Sequence, residues 1–226
     1  MTAWGRGPRT RHIVWDWNGT LLADNHAVLA AVNAVCSEFG RAAITLDEWR
    51  EMFSRPLHGC YERLLNRRLD HDDWVRIDSL YHERYRDLLG ECGLAAGVPH
   101  LLHDWAAAGG TQSLLSMWFH AELVPLVSEL GLAGLFTRID GLRVDLGGGS
   151  KTEHFVEHLY AQGLDPADVV LIGDVTDDAH AAHSAGANCV LVTTGIMSRS
   201  ALDSTGAPVV DSIPEALSLI RRESAA

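Results

Sequence analysis

A regular alternation of short apolar runs with helical patterns, between residue 97 and the C-terminus, constrains the fold more than any other feature. Apolar runs such as "TQSLLSM", "DVVLIGD" and "NCVLVTTG" are separated by segments with apolar residues at helical spacing. Strands that alternate with helices pair in parallel, because each helix carries the chain back to the same end of the sheet. We therefore expect an α/β fold in which helices cover both faces of a parallel-sheet core.

A helical block interrupts this alternation after the first strand. Residues 25–89 contain repeated helical patterns and no good strand, and Thr45 followed by Glu48 has the spacing of a capping box. At 226 residues the chain is long enough for a core domain and a smaller second one. We expect a small all-helical cap domain over 25–94, inserted into a core domain formed by 1–24 and 95–226.

The composition argues against two classes of partner. The formal net charge is −12, whereas nucleic acids and anionic membranes are bound by a positive surface field. No stretch approaches the roughly 18 apolar residues of a membrane span, and the N-terminal segment lacks the apolar run of an export signal. The four cysteines form no C-x-x-C pair, which favours a reduced, cytoplasmic protein. We expect a monomer or homodimer that binds neither nucleic acid nor membrane.

Polar residues stand where the predicted strands end. Asp16 follows "HIVW", Ser116 ends "TQSLLS" and Asp174 ends "DVVLIGD", while Lys151 opens the helix after "GGGS". The carboxyl ends of parallel strands meet at one edge of the sheet, where ligands bind in open α/β folds. Carboxylates suit a hard cation, and a lysine with a hydroxyl suits a phosphate. One carboxylate can then attack phosphorus and form an aspartyl-phosphate.

These motifs, in this order, resemble those of the haloacid dehalogenase (HAD) superfamily of hydrolases, in the phosphoglycolate-phosphatase-like branch with a helical C1-type cap. "DWNGTL" resembles the first motif of that family, usually D-x-D-G-T, and "GDVTDD" resembles its acidic fourth motif. Ser116 matches the second motif and Lys151 the third. The similarity extends over the whole chain from about His12, and it implies a Rossmann-like parallel-sheet core.

The resemblance implies a phosphatase-type hydrolase that depends on Mg²⁺ and acts on a small phosphorylated metabolite through an aspartyl-phosphate. Phosphoglycolate-type or sugar phosphates are the substrates expected by family analogy. The implied roles are catalytic for Asp16 (the nucleophile), Asn18 and Lys151, phosphate-binding for Thr20, Ser116 and Lys151, and metal-binding for Asp16, Asn18 (through its backbone carbonyl), Asp174 and Asp178 (through water).

Lysine usage supports the assignment of Lys151. It is the only lysine of the chain, and the other 17 basic residues are arginines. Lysine and arginine are not interchangeable, because the ammonium group is a compact point charge and the guanidinium group is a planar fork. A chain that otherwise uses arginine thus has lysine at the one position where the motif requires it.

The first motif departs from the family pattern at Asn18. In phosphatases of this family the second acid of D-x-D protonates the leaving group and then activates water, and an asparagine has no titratable proton for either step. General acid–base catalysis contributes about 10² to 10⁴-fold to such reactions. The metal role uses only the backbone carbonyl and is spared. Asp24 is close in sequence, where it either replaces the missing acid or supports the loop that leads into the cap.

Three alternatives are open to test on this sequence. Dehalogenases of similar fold use no magnesium, and they would not need an acidic fourth motif. Phosphonate-cleaving relatives have the similar motif D-W-A-G-T but form a Schiff base with a cap lysine, and because residues 25–89 contain no lysine, this mechanism is excluded. The third alternative is a catalytically impaired protein that binds a phosphorylated metabolite without appreciable turnover, because Asn18 replaces the acid.

Several residues near these motifs have both a functional and a structural interpretation. Asp177 is expected as the N-cap of the helix that follows "GDV", which leaves Asp178 as the site residue. His154 and His158 are four residues apart, but neighbouring glutamates predict a solvated face there, and most of the histidines are expected at the surface. Arg55 and Trp118 are candidates to line the substrate site, with a surface arginine and a packed loop as the alternatives.

Overall fold

The fold is described from a computed structural model that covers residues 10–143 and 150–223. The N-terminal segment, for which we expect no export signal, and the glycines of "GGGS" lie outside the described residues. In the described part of the chain, no helix is both long enough and apolar enough to cross a membrane.

The centre of the fold is a parallel sheet, as the alternating pattern predicts. The strands of the described residues, in chain order, are β1 (His12–Trp15), β2 (Leu22–Ala23), β3 (Gly93–Leu94), β4 (Thr111–Phe119), β5 (Ile139–Leu142), β6 (Val169–Gly173), β7 (Asn188–Val192) and β8 (Val209–Val210). Six of them form the central sheet in the order β5-β4-β1-β6-β7-β8, in which every neighbouring pair is parallel, and β2 and β3 form a separate pair. The Rossmann-like α/β class is confirmed.

Helices surround this sheet and complete the core. The helices in chain order are α1 (Asn25–Glu38), α2 (Leu46–Met52), α3 (Leu57–Leu65), α4 (His71–Leu89), α5 (Val98–Ala107), α6 (His120–Glu129), α7 (Lys151–Tyr160), α8 (Thr176–Ala185), α9 (Arg199–Asp203) and α10 (Ile213–Glu223). Helices α5 to α7 contact β4, helix α8 contacts β6 and β7, and the closing helix α10 contacts β7 and β8. The strands β1 and β6 are buried along their whole length, which explains their continuous apolar runs.

The helices α1 to α4 occupy the segment in which the sequence predicts helices and no good strand. The chain enters and leaves this helical segment (residues 25–94) through β2 and β3, which form a short antiparallel pair. Helix α1 packs on α4, and the predicted capping box of Thr45 and Glu48 is present at the start of α2. The pairing of β2 with β3 places both ends of the helical segment next to the loop that follows β1.

A buried polar network lies in the core near the start of β1. His12 and His158 are both nearly inaccessible, so the expectation that the helix face at His158 is solvated was wrong. The Nε2 atoms of the two histidines lie 2.7 and 2.8 Å from the Ser113 hydroxyl, and His158 Nδ1 lies 2.7 Å from Asp140. Ser113 is fully buried and contacts both rings, which indicates a structural network.

This network makes stability depend on pH. Burial, together with the neighbouring His158, lowers the pKa of His12 to about 4, whereas a histidine in the unfolded chain has a pKa near 6.5. Between these values the unfolded chain binds a proton that the folded chain does not. The free energy of unfolding therefore falls as the pH is lowered from about 6.5 to about 4.

We predict that His12→Gln removes part of this pH dependence. The glutamine keeps a polar side chain and does not titrate, so the loss of stability between pH 6.5 and 4 should be smaller than in the wild type by up to about 3 kcal/mol. Urea unfolding at several pH values measures the difference. The matched control is His100→Gln at an exposed position, which should keep the wild-type dependence. Parallel curves for the wild type and His12→Gln would contradict the prediction.

Candidate active site

Residues from three neighbouring strands meet at the carboxyl edge of the sheet. Asp16 directly follows the central strand β1, and its backbone N–H donates to Ile172 of β6 at 2.8 Å. Asp174 follows β6, and Ser116 lies in β4 on the other side of β1. Strand β4 runs on to Phe119, so Ser116 lies inside the strand and not at its end. All three side chains are buried.

Lys151 joins two of the acids. It is the first residue of α7, whose start is held by a capping box between Ser150 and Glu153. Its ammonium group makes short ion pairs with the carboxylates of Asp16 and Asp178, and the three side chains are almost completely buried. The helix start thus places a single positive charge between an acid that follows β1 and an acid of α8.

Asp174 is held by the loop that follows β1. Thr20 Oγ1 donates to Asp174 Oδ1 at 3.2 Å, and the backbone N–H of Ile196 donates to Oδ2 at 3.3 Å. Gly19 has φ +71°, and a Cβ at this position would lie 2.7 Å from Asp174 Oδ2. Both the backbone conformation and the close approach therefore require glycine in the "NGT" part of the motif.

The carboxylates of Asp16, Asp174 and Asp178 form one buried cluster, in which an oxygen of each lies within 4.8 Å of the others. Burial raises the pKa of Asp16 to about 6, and burial together with the two other acids raises the pKa of Asp174 well above its usual range. Burial would lower the pKa of Lys151, but Asp16 and Asp178 hold it above its usual range. One ammonium does not balance three carboxylates, and an all-oxygen donor set fits a hard cation such as Mg²⁺.

The acids at the start of α8 do not have the capping role that the sequence predicts for Asp177. The helix begins at Thr176, so Val175 occupies the N-cap position and the prediction that Asp177 is the N-cap was wrong. The Asp178 carboxylate instead accepts a hydrogen bond from the Val175 N–H at 3.1 Å. Asp177 forms an ion pair with Arg55 at 2.8 Å, across the boundary between the helical segment and the core.

The side chain of Asn18 belongs to a network with Asp24 and Tyr85. Asn18 Nδ2 donates to Asp24 Oδ2 at 2.9 Å and to the Tyr85 hydroxyl at 2.7 Å, and this hydroxyl donates to Asp24 Oδ2 at 2.6 Å. The backbone N–H of Gly19 donates to Asp24 Oδ1 at 2.8 Å. Both oxygens of Asp24 are thus occupied by groups of the loop and of α4. Sequence reasoning missed Tyr85, because nothing distinguishes it from the other aromatic residues of that helical pattern.

Asn18 also contacts the neighbouring strand. The Ser116 hydroxyl donates to Asn18 Oδ1 at 3.2 Å and accepts a hydrogen bond from the Trp118 N–H at 3.0 Å. The amide therefore links β4 to the loop after β1 with both of its polar atoms. The Trp17 side chain, directly before Asn18, is completely buried.

A cavity of about 230 Å³ lies above this cluster, between the core and the helical segment. The acids and Lys151 form one end of it, and Arg55 and Trp118, for which the sequence left a structural alternative open, both line it. The sequence did not reveal how many further aromatic residues of the helical segment share this wall, because they are dispersed over three helices and their flanking loops. These residues are Trp49, Phe53, Tyr61, Trp74, Tyr81 and Tyr85.

Comparisons with known proteins agree with this architecture. Residues 13–192 match the sequence profile of the family described as haloacid dehalogenase-like hydrolase. The chain is 32% identical to a phosphoglycolate phosphatase from Xylella fastidiosa, over 84% of this chain and 82% of that protein, and 27% identical to one from Synechococcus elongatus, over 84% and 87%.

Solved structures show the same fold at lower identity. A haloacid dehalogenase-like hydrolase from Streptococcus pneumoniae superposes with a TM-score of 0.76 at 18% identity, over 92% of this chain and 97% of that one. A HAD hydrolase of family IA, variant 3, from Entamoeba histolytica superposes with a TM-score of 0.73 at 17% identity, over 93% and 99%.

We predict that Asp174→Asn stabilises the metal-free protein. The change removes one of three mutually repelling buried carboxylates at nearly constant shape, so the free energy of unfolding in EDTA should rise by about 1 kcal/mol or more. The same change should reduce the stabilisation that added Mg²⁺ provides. Thermal unfolding with EDTA and with Mg²⁺ measures both effects. The exposed Asp203→Asn on α9 is the matched control and should show neither, whereas a less stable Asp174→Asn in EDTA would contradict the prediction.

Proposed function

We propose that this chain, which belongs to the haloacid dehalogenase-like hydrolase family and is a phosphoric monoester hydrolase, acts on a small phosphorylated metabolite with Mg²⁺ through an aspartyl-phosphate at Asp16. The observation that carries the proposal is the buried cluster of Asp16, Asp174 and Asp178 with Lys151 between two of them. A nucleophilic carboxylate, a point cation and an excess of oxygen ligands are the groups that phosphoryl transfer needs.

In this proposal Asp16 begins the reaction. Its carboxylate attacks phosphorus, and the bond between phosphorus and the ester oxygen breaks with its electron pair on that oxygen. Water then attacks the phosphorus of the aspartyl-phosphate, which releases inorganic phosphate and restores the carboxylate. Lys151 contacts Asp16 and keeps the carboxylate ionised against the effect of burial.

Groups around Asp16 would hold the phosphoryl oxygens and the metal. Lys151 and the Ser116 hydroxyl would bind phosphate, and Thr20 would support the loop through its hydrogen bond to Asp174. Mg²⁺ would be held by Asp16, Asp174, the backbone carbonyl of Asn18 and, through water, Asp178. When bound, the ion supplies positive charge that offsets the negative charge of the phosphoryl oxygens.

The division of labour between two domains is part of the proposal. The core, 1–24 and 95–226, carries the cluster, and the helical cap, 25–94, covers the cavity above it. Residues of this cap contribute most of the cavity wall, which is the surface that a leaving group would contact. The cap thus decides which phosphate monoesters fit, while the core carries out the chemistry.

Asn18 leaves this mechanism without a proton donor at the position where the family pattern has an acid. Its amide is engaged by Asp24, Tyr85 and Ser116 and has no acidic proton to give. Asp24 accepts hydrogen bonds on both oxygens, which supports the loop-stabilising role and not that of a replacement acid. A protein that binds phosphorylated metabolites with little turnover is the second candidate, and this same network is the observation that favours it.

The first test is release of phosphate from 4-nitrophenyl phosphate. The wild type with Mg²⁺ should release phosphate at least tenfold faster than Asp16→Asn, because attack needs an ionised carboxylate at position 16. EDTA should abolish the release, because it removes the Mg²⁺ on which the proposed reaction depends. Purified proteins are compared by phosphate assay, and thermal unfolding establishes that the variant is folded. Equal rates for the wild type and Asp16→Asn would favour the binding protein.

We predict that Asn18→Asp raises steady-state hydrolysis by tenfold or more. The new carboxyl group would lie beside Asp24, and because two adjacent carboxyl groups cannot both ionise easily, one of them keeps a proton near neutral pH and can serve as the acid. In the wild type, slow hydrolysis of the aspartyl-phosphate should produce a burst of 4-nitrophenol before a slow steady state.

Stopped-flow and steady-state release of 4-nitrophenol measure both predictions. Asn18→Ala is the matched control, because it loosens the same network without supplying an acid, and it should not show the gain. Absence of a burst in the wild type, together with no gain in Asn18→Asp, would show that another group already transfers the proton.

A further inference from the structure

We infer that the substrate is the phosphate monoester of an uncharged aromatic alcohol. This inference rests on the proposed function and deepens it, since it names the class of leaving group that the cavity accepts. Two independent features carry it: the composition and charge of the cavity wall, and the absence of an acidic proton at Asn18.

Seven of the residues that line the cavity carry Phe, Tyr or Trp rings, and several of these rings pack on one another. Trp49 lies 5.5 Å from Phe53 and 5.8 Å from Tyr61, measured between ring centroids, and Tyr85 lies 4.9 Å from Trp118. Rings that are packed in this way form a rigid apolar surface and favour a flat partner in edge-to-face or offset contact. An apolar cavity of about 150 Å³ is enough for benzene. The 230 Å³ cavity therefore holds one aromatic ring together with a phosphoryl group.

The charges on the wall disfavour a carboxylate. Among the described residues that line the cavity, the arginine and lysine side chains are Arg55 and Lys151, and both are in ion pairs. Arg55 is held by Asp177 at 2.8 Å, and the wall also carries Asp24 and Asp78. A substrate with a second anionic group, such as 2-phosphoglycolate, would bring that group near these carboxylates, in a cavity whose described arginine and lysine side chains are already in ion pairs, which is costly.

The chemistry at Asn18 selects the same class of leaving group. Position 18, where the family pattern has an acid, offers no proton to the departing oxygen, so the phosphorus–oxygen bond breaks with the electron pair remaining on an unprotonated oxygen, which takes its proton from water afterwards. A phenolic oxygen tolerates this charge, because its pKa is about 10. An ordinary alkoxide resembles hydroxide, whose conjugate acid has a pKa of about 15.7. The wall of the cavity and the asparagine in the loop after β1 thus independently favour an aromatic alcohol.

The principal experiment compares three substrates with the Mg²⁺-loaded wild type. The value of kcat/KM for phenyl phosphate should exceed those for cyclohexyl phosphate and 2-phosphoglycolate by about 100-fold or more. If phosphate is released but 2-phosphoglycolate or cyclohexyl phosphate is as good a substrate as phenyl phosphate, the inference is overturned while the proposed function stands. If none of the three nor 4-nitrophenyl phosphate is hydrolysed, the proposed function fails.

Inhibition by phosphonates separates the fit of the ring from the ease of its departure. Phenylphosphonate, cyclohexylphosphonate and phosphonoacetate carry no ester oxygen, so their binding does not depend on a leaving group. Phenylphosphonate should bind at least tenfold more tightly than either of the others, by calorimetry or by competition. Equal binding would overturn the role of the aromatic wall.

A variant that releases Arg55 tests the charge argument. Asp177→Asn removes the partner of Arg55, so the free guanidinium should lower the preference for phenyl phosphate over 2-phosphoglycolate by about tenfold. The matched control is the double variant Asp177→Asn with Arg55→Gln, in which the preference should return. A preference that does not change in Asp177→Asn would show that Arg55 does not govern the charge of the cavity, and would overturn that part of the inference.

Discussion

The ion pairs of Lys151 with Asp16 and Asp178 are the interaction on which the site depends. They join the start of α7, the end of β1 and the first turn of α8 in a place that water hardly reaches. Without a cation there, three acids with an oxygen of each within 4.8 Å of the others would repel one another. The single lysine of the chain thus determines both the geometry of the cluster and the charge state of its proposed nucleophile.

The loop after β1 connects this cluster with the helical segment. Gly19 allows the loop to pass close to Asp174, and its N–H donates to Asp24, which directly precedes α1. Tyr85 of α4 then reaches back to Asp24 and Asn18. An asparagine suits this position, because it donates to Asp24 and accepts from Ser116, whereas a carboxylate would place negative charge beside Asp24. The departure from the D-x-D pattern therefore has a structural counterpart in the neighbouring acid.

Fold and substrate are decided by different parts of the molecule. The family match and the solved structures extend over the sheet and the helical segment, and they show the architecture and the order of the motifs. About half of the residues that line the cavity above the cluster come from the helical segment, and a family assignment does not specify their side chains. Relatives named as phosphoglycolate phosphatases are thus compatible with a chain whose cavity wall is aromatic and whose cavity arginine is held by an acid.

The sequence by itself determined the parallel sheet, the place of the helical segment and the convergence of Asp16, Ser116, Lys151 and Asp174. It did so because strand and helix periodicities are local signals, and because parallel strands bring their carboxyl ends to one edge. Only the tertiary structure decided which neighbours each polar group finds. The ion pair of Arg55 with Asp177, the hydrogen bond of Tyr85 to Asp24 and the contacts of His12 and His158 with Ser113 join residues far apart in the chain. No local pattern encodes such pairs, since they depend on how the helical segment packs on the core and on how α7 packs on the sheet.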